Sequence, residues 1–154
     1  MKESLFALAG RLLVERPAQQ RRLPDIIEHF HNSAADIDQR IAGAANTPAN
    51  RELLRHIIGI ERWGQRRLRV ALGETPIHDE YDAYRPDEDL DIAGLRRAFT
   101  ETRQATINLA HEFEARPAAL DEAVRHNDFG GITARAWLVY LNMHANIEIK
   151  RLRT

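Results

Sequence analysis

Six prolines, at positions 17, 24, 48, 76, 86 and 117, cut this 154-residue chain into segments, and every long segment between them carries a helical pattern. Proline lacks the backbone donor that a helix needs and its ring clashes with the preceding turn, so helices start or stop where it stands. Charged residues recur at three- and four-residue spacing, and the alternation of β-branched and aromatic residues that marks strands is missing. The pattern predicts helices over 2–15, 24–44, 48–72, 88–115 and 132–152. Pro24 and Pro48 suit a first helical turn, where a missing N–H is no loss, and Gly73 follows Leu72 where a left-handed C-cap belongs. Four long helices and one short N-terminal helix predict an all-α fold: a four-helix bundle forming a single domain over 1–154.

Linker lengths constrain the topology. The helices over 24–44 and 48–72 are joined by a few residues around Asn46 and Thr47, so they are expected to be antiparallel neighbours. The next connection, GETPIHDEYDAYRP from Gly73 to Pro86, is longer than a hairpin needs. Fully extended it spans about 45 Å at about 3.3 Å per residue. The helix before it is about 37 Å long at 1.5 Å per residue. The chain can therefore run back along the bundle and start the helix over 88–115 parallel to the helix over 48–72, or fold the loop and return antiparallel.

Composition removes several chemistries. Lys plus Arg at 22 against Asp plus Glu at 23 gives a net charge of -1, with no cationic excess for a nucleic-acid backbone. Without cysteine there is no disulfide framework, no thiolate metal site and no cysteine nucleophile. Glycine-rich nucleotide loops and the GxSxG elbow are absent too, so no nucleotide cofactor is expected. No stretch approaches the roughly 18 consecutive apolar residues of a membrane span. The N-terminal run MKESLFALAGRLLVERP is interrupted by Glu3, Arg11 and Glu15 and lacks a cleavage site, so a cytoplasmic location without membrane association is expected.

Seven histidines remain as candidate ligands and bases. At about 100° per residue, Trp137, Leu141, Ala145 and Leu152 form one apolar stripe, and His144 and Glu148 lie inside it, one turn apart. A core-facing carboxylate is costly without a cation, a hydrogen-bonding group or a shifted pKa. The four-residue spacing suits two ligands of one metal, and it equally suits a His and a Glu bonded to one another and to buried water. In the helix over 48–72, Leu53, Ile57, Ile60, Leu68 and Ala71 form the apolar face, flanked by His56 on one side and Glu61 on the other. His56 is then placed to look into the bundle, where metal sites are built from facing helices.

The other histidines are expected elsewhere. His111 and His29 project away from the apolar faces, His31 lies nearer one and is placed to line a cavity, and His78 and His126 fall in linkers, the latter at a pocket mouth. Thr102 and Thr106 lie within the stripe formed by Leu95, Phe99, Leu109 and Phe113, either lining a polar pocket or back-bonding to helical carbonyls. The acidic linker residues from Asp79 to Asp91 read as solvated surface, and the arginines from Arg62 to Arg69 as a salt-bridged helix face.

Two stretches resemble a known family. HIIGIERWGQRRLRVALGE, from His56 to Glu74, with the aromatic and acidic linker after it, is similar to the second helix of the DinB-like (YfiT-type) metalloenzyme family. HNDFGGITARAWLVYLNMHANIEIKRL, from His126 to Leu152, is similar to its last helix, and the resemblance covers about 23–153. It implies an up-down-down-up four-helix bundle, often dimeric, with a divalent metal on three histidines. One of these comes from the second helix and two from an HxxxH in the last. Carried over, His56 and His144 match, and Glu148 stands where the third histidine is expected. Two histidines and a carboxylate suit zinc, nickel, iron or manganese with positions left open for water or substrate. Relatives include transferases and isomerases that use small thiols. The expectation is thus a divalent-metal-dependent enzyme, a small-thiol-dependent transferase or hydrolase, with metal on His56, His144 and Glu148, as a homodimer. The alternative is a non-catalytic dimeric helical bundle, a stress-related binding or interaction module, whose metal site is degenerate or empty.

Overall fold

The structure, a computed structural model, describes residues 5–154 apart from the side chain of Phe6, so residues 2–4 of the first expected helix lie outside the described residues. The helices are α1 (Leu5–Gln19), α2 (Leu23–Ala42), α3 (Pro48–Ala71), α4 (Ile92–Glu112) and α5 (Ala134–Glu148). Their ends follow local chemistry. Thr47 accepts from Asn50 N at 3.2 Å, Asp91 from Gly94 N at 2.8 Å and Thr133 from Ala136 N at 3.1 Å, each satisfying a donor the helix start leaves open. At the end of α3, Gly73 takes the left-handed conformation, φ 110°, and the Gly73 and Glu74 N–H groups close back on Val70 O and Arg69 O.

Several boundaries differ from expectation, α2, α4 and α5 ending two to four residues early, and three differences have a specific cause. α1 runs through Pro17 to Gln19, because fully buried Val14 and Ala18 hold its last turn on the core and outweigh the backbone bond that proline forgoes. α4 begins at Ile92, four residues late, where the Asp91 cap starts it. The expected start of the last helix at 132 is instead part of an antiparallel hairpin, β1 (Ala123–His126) and β2 (Gly130–Thr133). Val124 and Ile132 face each other across it and are buried, so a strand pair of four residues each gains its stability from the helices it covers.

Contacts fix the direction of each helix. Gln65 donates to Thr102 O and Thr106 Oγ1, and farther along Arg116 donates to Leu72 O, so α4 runs parallel to α3. α2 is antiparallel to α4 through Asp38–Arg96 and Ser33–Arg103. α5 is parallel to α2 through Arg135–Arg21 and Asn142–Ser33. The order is up-down-down-up.

The long linker makes this possible by returning along α3. Arg66 holds Thr75 O, Trp63 and Arg67 hold Asp79, Arg85 pairs with Glu52, and Arg55 holds Pro86 O. Gly59 lets it lie flat, since a Cβ there would stand 2.9 Å from Arg85 Cγ and 3.3 Å from Tyr81 O. A 3-10 turn, Tyr81–Tyr84, results.

The apolar stripes read from sequence supply most of the core, with Leu53, Ala71 and Leu152 only partly buried. Ile26, Phe30, Ile37 and Ile41, then Leu95, Phe99, Leu109 and Phe113, then Trp137, Leu141 and Ala145 are all buried. The core divides in two along the bundle, one half around Trp63 and Trp137 and the other around Ile57 and Phe99. Among the described residues, no helix is long and apolar enough to cross a membrane.

Candidate metal and imidazole site

His56 on α3 and His144 on α5 come together because the two helices approach closely. Gly64 packs directly under Leu141, where a Cβ would fall 2.4 Å from Leu141 Cδ2. Eight residues back along α3, the His56 ring meets the His144 ring with centroids 5.2 Å apart. Tyr81 from the returning linker packs edge-on against His56 at 5.3 Å, and Tyr140, one turn before His144, lies 5.8 Å from it. Neither His56 nor His144 has a hydrogen-bond partner among the described residues.

Burial decides their charge. It pulls the His144 pKa down to about 4, helped by neighbouring His56 and opposed by Glu148. Burial also lowers His56, with Glu148 again opposing and Arg85 and Arg151 assisting. Both rings are neutral at neutral pH, with a nitrogen lone pair to offer. Tyr140, buried, has its pKa raised by desolvation and stays a phenol.

Glu148 is close enough for its charge to act on both imidazoles, and its carboxylate pairs with Arg151 at 2.5 Å, with 20% of the side chain exposed. Its cation is therefore a neighbour on the next turn. Among the described residues, no group of three or more His, Cys, Asp or Glu side chains is arranged to hold a metal ion.

His126 departs from the linker position expected of it. It is 2% exposed, at the end of β1, and its Nδ1 accepts from the Asp128 and Phe129 N–H groups at 3.1 and 3.3 Å. Those donors place the ring proton on Nε2, which has no hydrogen-bond partner among the described residues. The ring stacks on Phe129 at 4.2 Å and lies against Trp63, Trp137 and Tyr140. Burial, with Arg67 second, lowers its pKa to about 4. Pattern reading missed it because a hairpin this short leaves no periodic signal; Val124 and Ile132 around two glycines were the only trace.

A second polar group crosses the bundle where the two core halves meet. Arg103 pairs with Glu61 at 2.9 Å, each 2% exposed, and donates to Ser33 Oγ and Asn142 Oδ1. Glu61 also accepts from Thr106, which in turn accepts from Gln65. Thr106 thus does more than back-bond to Thr102 O, and Glu61, expected at a flank, is interior. Of the remaining histidines, His29, His78 and His111 are exposed as expected, and His31 is exposed too. Asp79 is likewise no solvated loop residue: burial opposes its charge, yet hydrogen bonds from Tyr84, Arg67 and Trp63 hold its pKa below the usual range.

The family comparison matches residues 15–147 to the DinB superfamily. The chain belongs to the DinB superfamily. The match begins in the last turns of α1, takes in His56 and His144, and ends just before Glu148. Neither curated proteins nor solved structures give a match. The superfamily includes metal-binding members, and in this chain two imidazoles fit such a role. The two rings, in contact and without hydrogen bonds, would be the donors that hold such an ion. Glu148 fits by chemistry alone, since its carboxylate is paired with Arg151 and completes no three-residue group with the imidazoles.

Proposed function

We propose that this DinB-superfamily protein is a divalent-metal-dependent enzyme, with His56 and His144 as imidazole donors and Glu148 as the carboxylate donor. The observation that carries the reading is the facing pair of neutral, hydrogen-bond-free imidazoles on α3 and α5. Both rings are partly buried, and their unpaired nitrogens are open to a ligand. When bound, a zinc, nickel, iron or manganese ion supplies a Lewis acid able to lower the pKa of a water or thiol.

The chain's own residues do the rest. Desolvation keeps His56 and His144 unprotonated and ready to donate. Tyr140, kept as a phenol, can donate a hydrogen bond beside His144, and Tyr81 screens His56 from water on the linker side. With no cysteine in the chain, a thiol nucleophile has to arrive as a small molecule, which fits a small-thiol-dependent transferase or hydrolase. The exposed leucines of α1, Leu5, Leu8, Leu12 and Leu13, support a second copy of the chain as partner.

Elemental analysis of purified protein and of His144→Ala, with Co²⁺ or Zn²⁺ titration of the stripped protein, tests the site. About one equivalent of metal in wild type and a loss of at least tenfold in affinity in the variant are expected. Equal metal content in both sinks the site. The Glu148–Arg151 pair favours a second reading, a non-catalytic bundle in which the imidazoles are packing groups; it requires a melting temperature indifferent to metal and chelator.

A further inference from the structure

We propose a second site, an anion-binding cleft between α3, α4 and the returning linker, that takes a compact dianion such as a phosphate group or a small dicarboxylate. Two adjoining hollows of about 360 and 340 Å³ share Arg62 and Glu101 in their walls. Arg85 and Arg97 line the first, and Arg66 and Arg69 the second. Against these five guanidinium groups the walls hold two carboxylates, Asp87 and Glu101. The whole chain carries a net charge of -1, so this concentration of cations is local.

The arginines divide by what they already hold. Arg66 is committed to Glu74 and Thr75 O, and Arg85 to Glu52 and Asp82. Among the described residues, Arg62, Arg69 and Arg97 have no carboxylate partner. Arg62 is half-buried and its Nε is fixed by Thr102 Oγ1 at 3.0 Å, which orients the fork without using its terminal nitrogens. That hydrogen bond ties the cleft to the buried polar layer, because Thr102 O also accepts from Gln65. A guanidinium held by one nitrogen and free at two is arranged for a two-point bond to a phosphate or carboxylate. The parallel run of α3 and α4 sets Arg62 and Arg97 on opposite walls of one hollow, able to engage an anion from two sides. The hollow near Arg97 is also bounded by Leu90 and Ala98, which suits a ligand whose charged group is carried on a small apolar body.

Calorimetric titration at fixed ionic strength, with inorganic phosphate and separately with succinate, tests the cleft. The protein is metal-stripped, so that phosphate cannot report on an ion at His56 and His144. Saturable binding is expected, weakened about tenfold or more in R62Q/R97Q and strengthened in E101Q. H144A should bind as wild type does. The preferred probe identifies the ligand chemistry as phosphate or dicarboxylate. Because R62Q also removes the bond to Thr102, R97Q and R69Q are measured singly, and each should weaken binding with an unchanged melting temperature. R16Q, an α1 arginine away from the cleft, controls for net charge. Unsaturable heats, an R62Q/R97Q protein that binds as wild type does, or an equal loss in R16Q overturns the proposal.

Discussion

The two polar groups of this bundle share helices α3 and α5 and have opposite characters. The layer of Ser33, Glu61, Gln65, Thr106, Arg103 and Asn142 is closed but for one donor: each charge is met by an opposite charge and by hydrogen bonds from neighbouring helices, and Arg103 Nε has no partner among the described residues. The pair of His56 and His144 is open, with two neutral rings in contact and no hydrogen bonds of their own. A closed network helps fix which helix faces which, since its bonds form only when four helices meet at one height. An open pair, which costs the fold something for its desolvation, leaves coordination capacity for a ligand. Stability and function thus draw on similar residue types, separated by whether neighbours complete their bonding.

Breaking the closed layer should give the largest effect. Glu61→Gln or Arg103→Met leaves an uncompensated buried charge, and urea denaturation should show a loss of about 3–5 kcal/mol. A smaller loss for Glu61→Leu combined with Arg103→Met than for either single change would confirm that the partnerless charge is the cause. A loss below 1 kcal/mol from the single variants would break the comparison.

Acid tests the neutral rings next. The His126 pKa falls from its ordinary 6.5 to about 4 on folding, so between these values the unfolded chain binds a proton that the folded chain refuses. Stability is therefore intact above pH 6.5 and declines as pH falls towards 4, by about 3 kcal/mol from this one residue. Denaturation curves at pH 7 and pH 4.5 should show it, and His126→Gln should flatten the dependence. His144 titrates in the same direction and window.

Helix approach is the next lever. Gly64→Ala sets a Cβ against Leu141, so a cost of about 1–3 kcal/mol is expected, together with weaker Co²⁺ binding as His56 and His144 are pushed apart. Unaltered Co²⁺ affinity would separate the imidazole pair from this contact. The smallest stability change should come from Arg151→Gln. This removes a partly exposed ion pair worth under about 1 kcal/mol, yet it releases Glu148 and should tighten metal binding, visible as a larger melting shift with Zn²⁺.

Much of this architecture is legible in the chain itself. Prolines and caps punctuate the helices, and buried Phe30, Phe99 and Trp137 lie on stripes that their spacing announces. His56 and His144 can be picked out because both border or interrupt such a stripe. Glu61 and Arg103 were not recognisable as partners: they are 42 positions apart, on helices whose mutual height no local pattern encodes. His126 was hidden by a hairpin too short for periodicity, and Asp79 looked like surface until the linker laid it on Trp63 and Arg67.

The sequence by itself determined the local events: where helices begin, which face of each is apolar, and that no cysteine takes part. These depend on backbone donors, side-chain period and residue chemistry within a few turns. The tertiary structure alone decided which polar groups meet. It set the path of the 73–91 linker, the parallel run of α3 and α4, and hence the register that joins Glu61 to Arg103, brings His56 to His144 and gathers the arginines into one cleft. Register between helices is a sum over many distant packing contacts, and no single segment carries it.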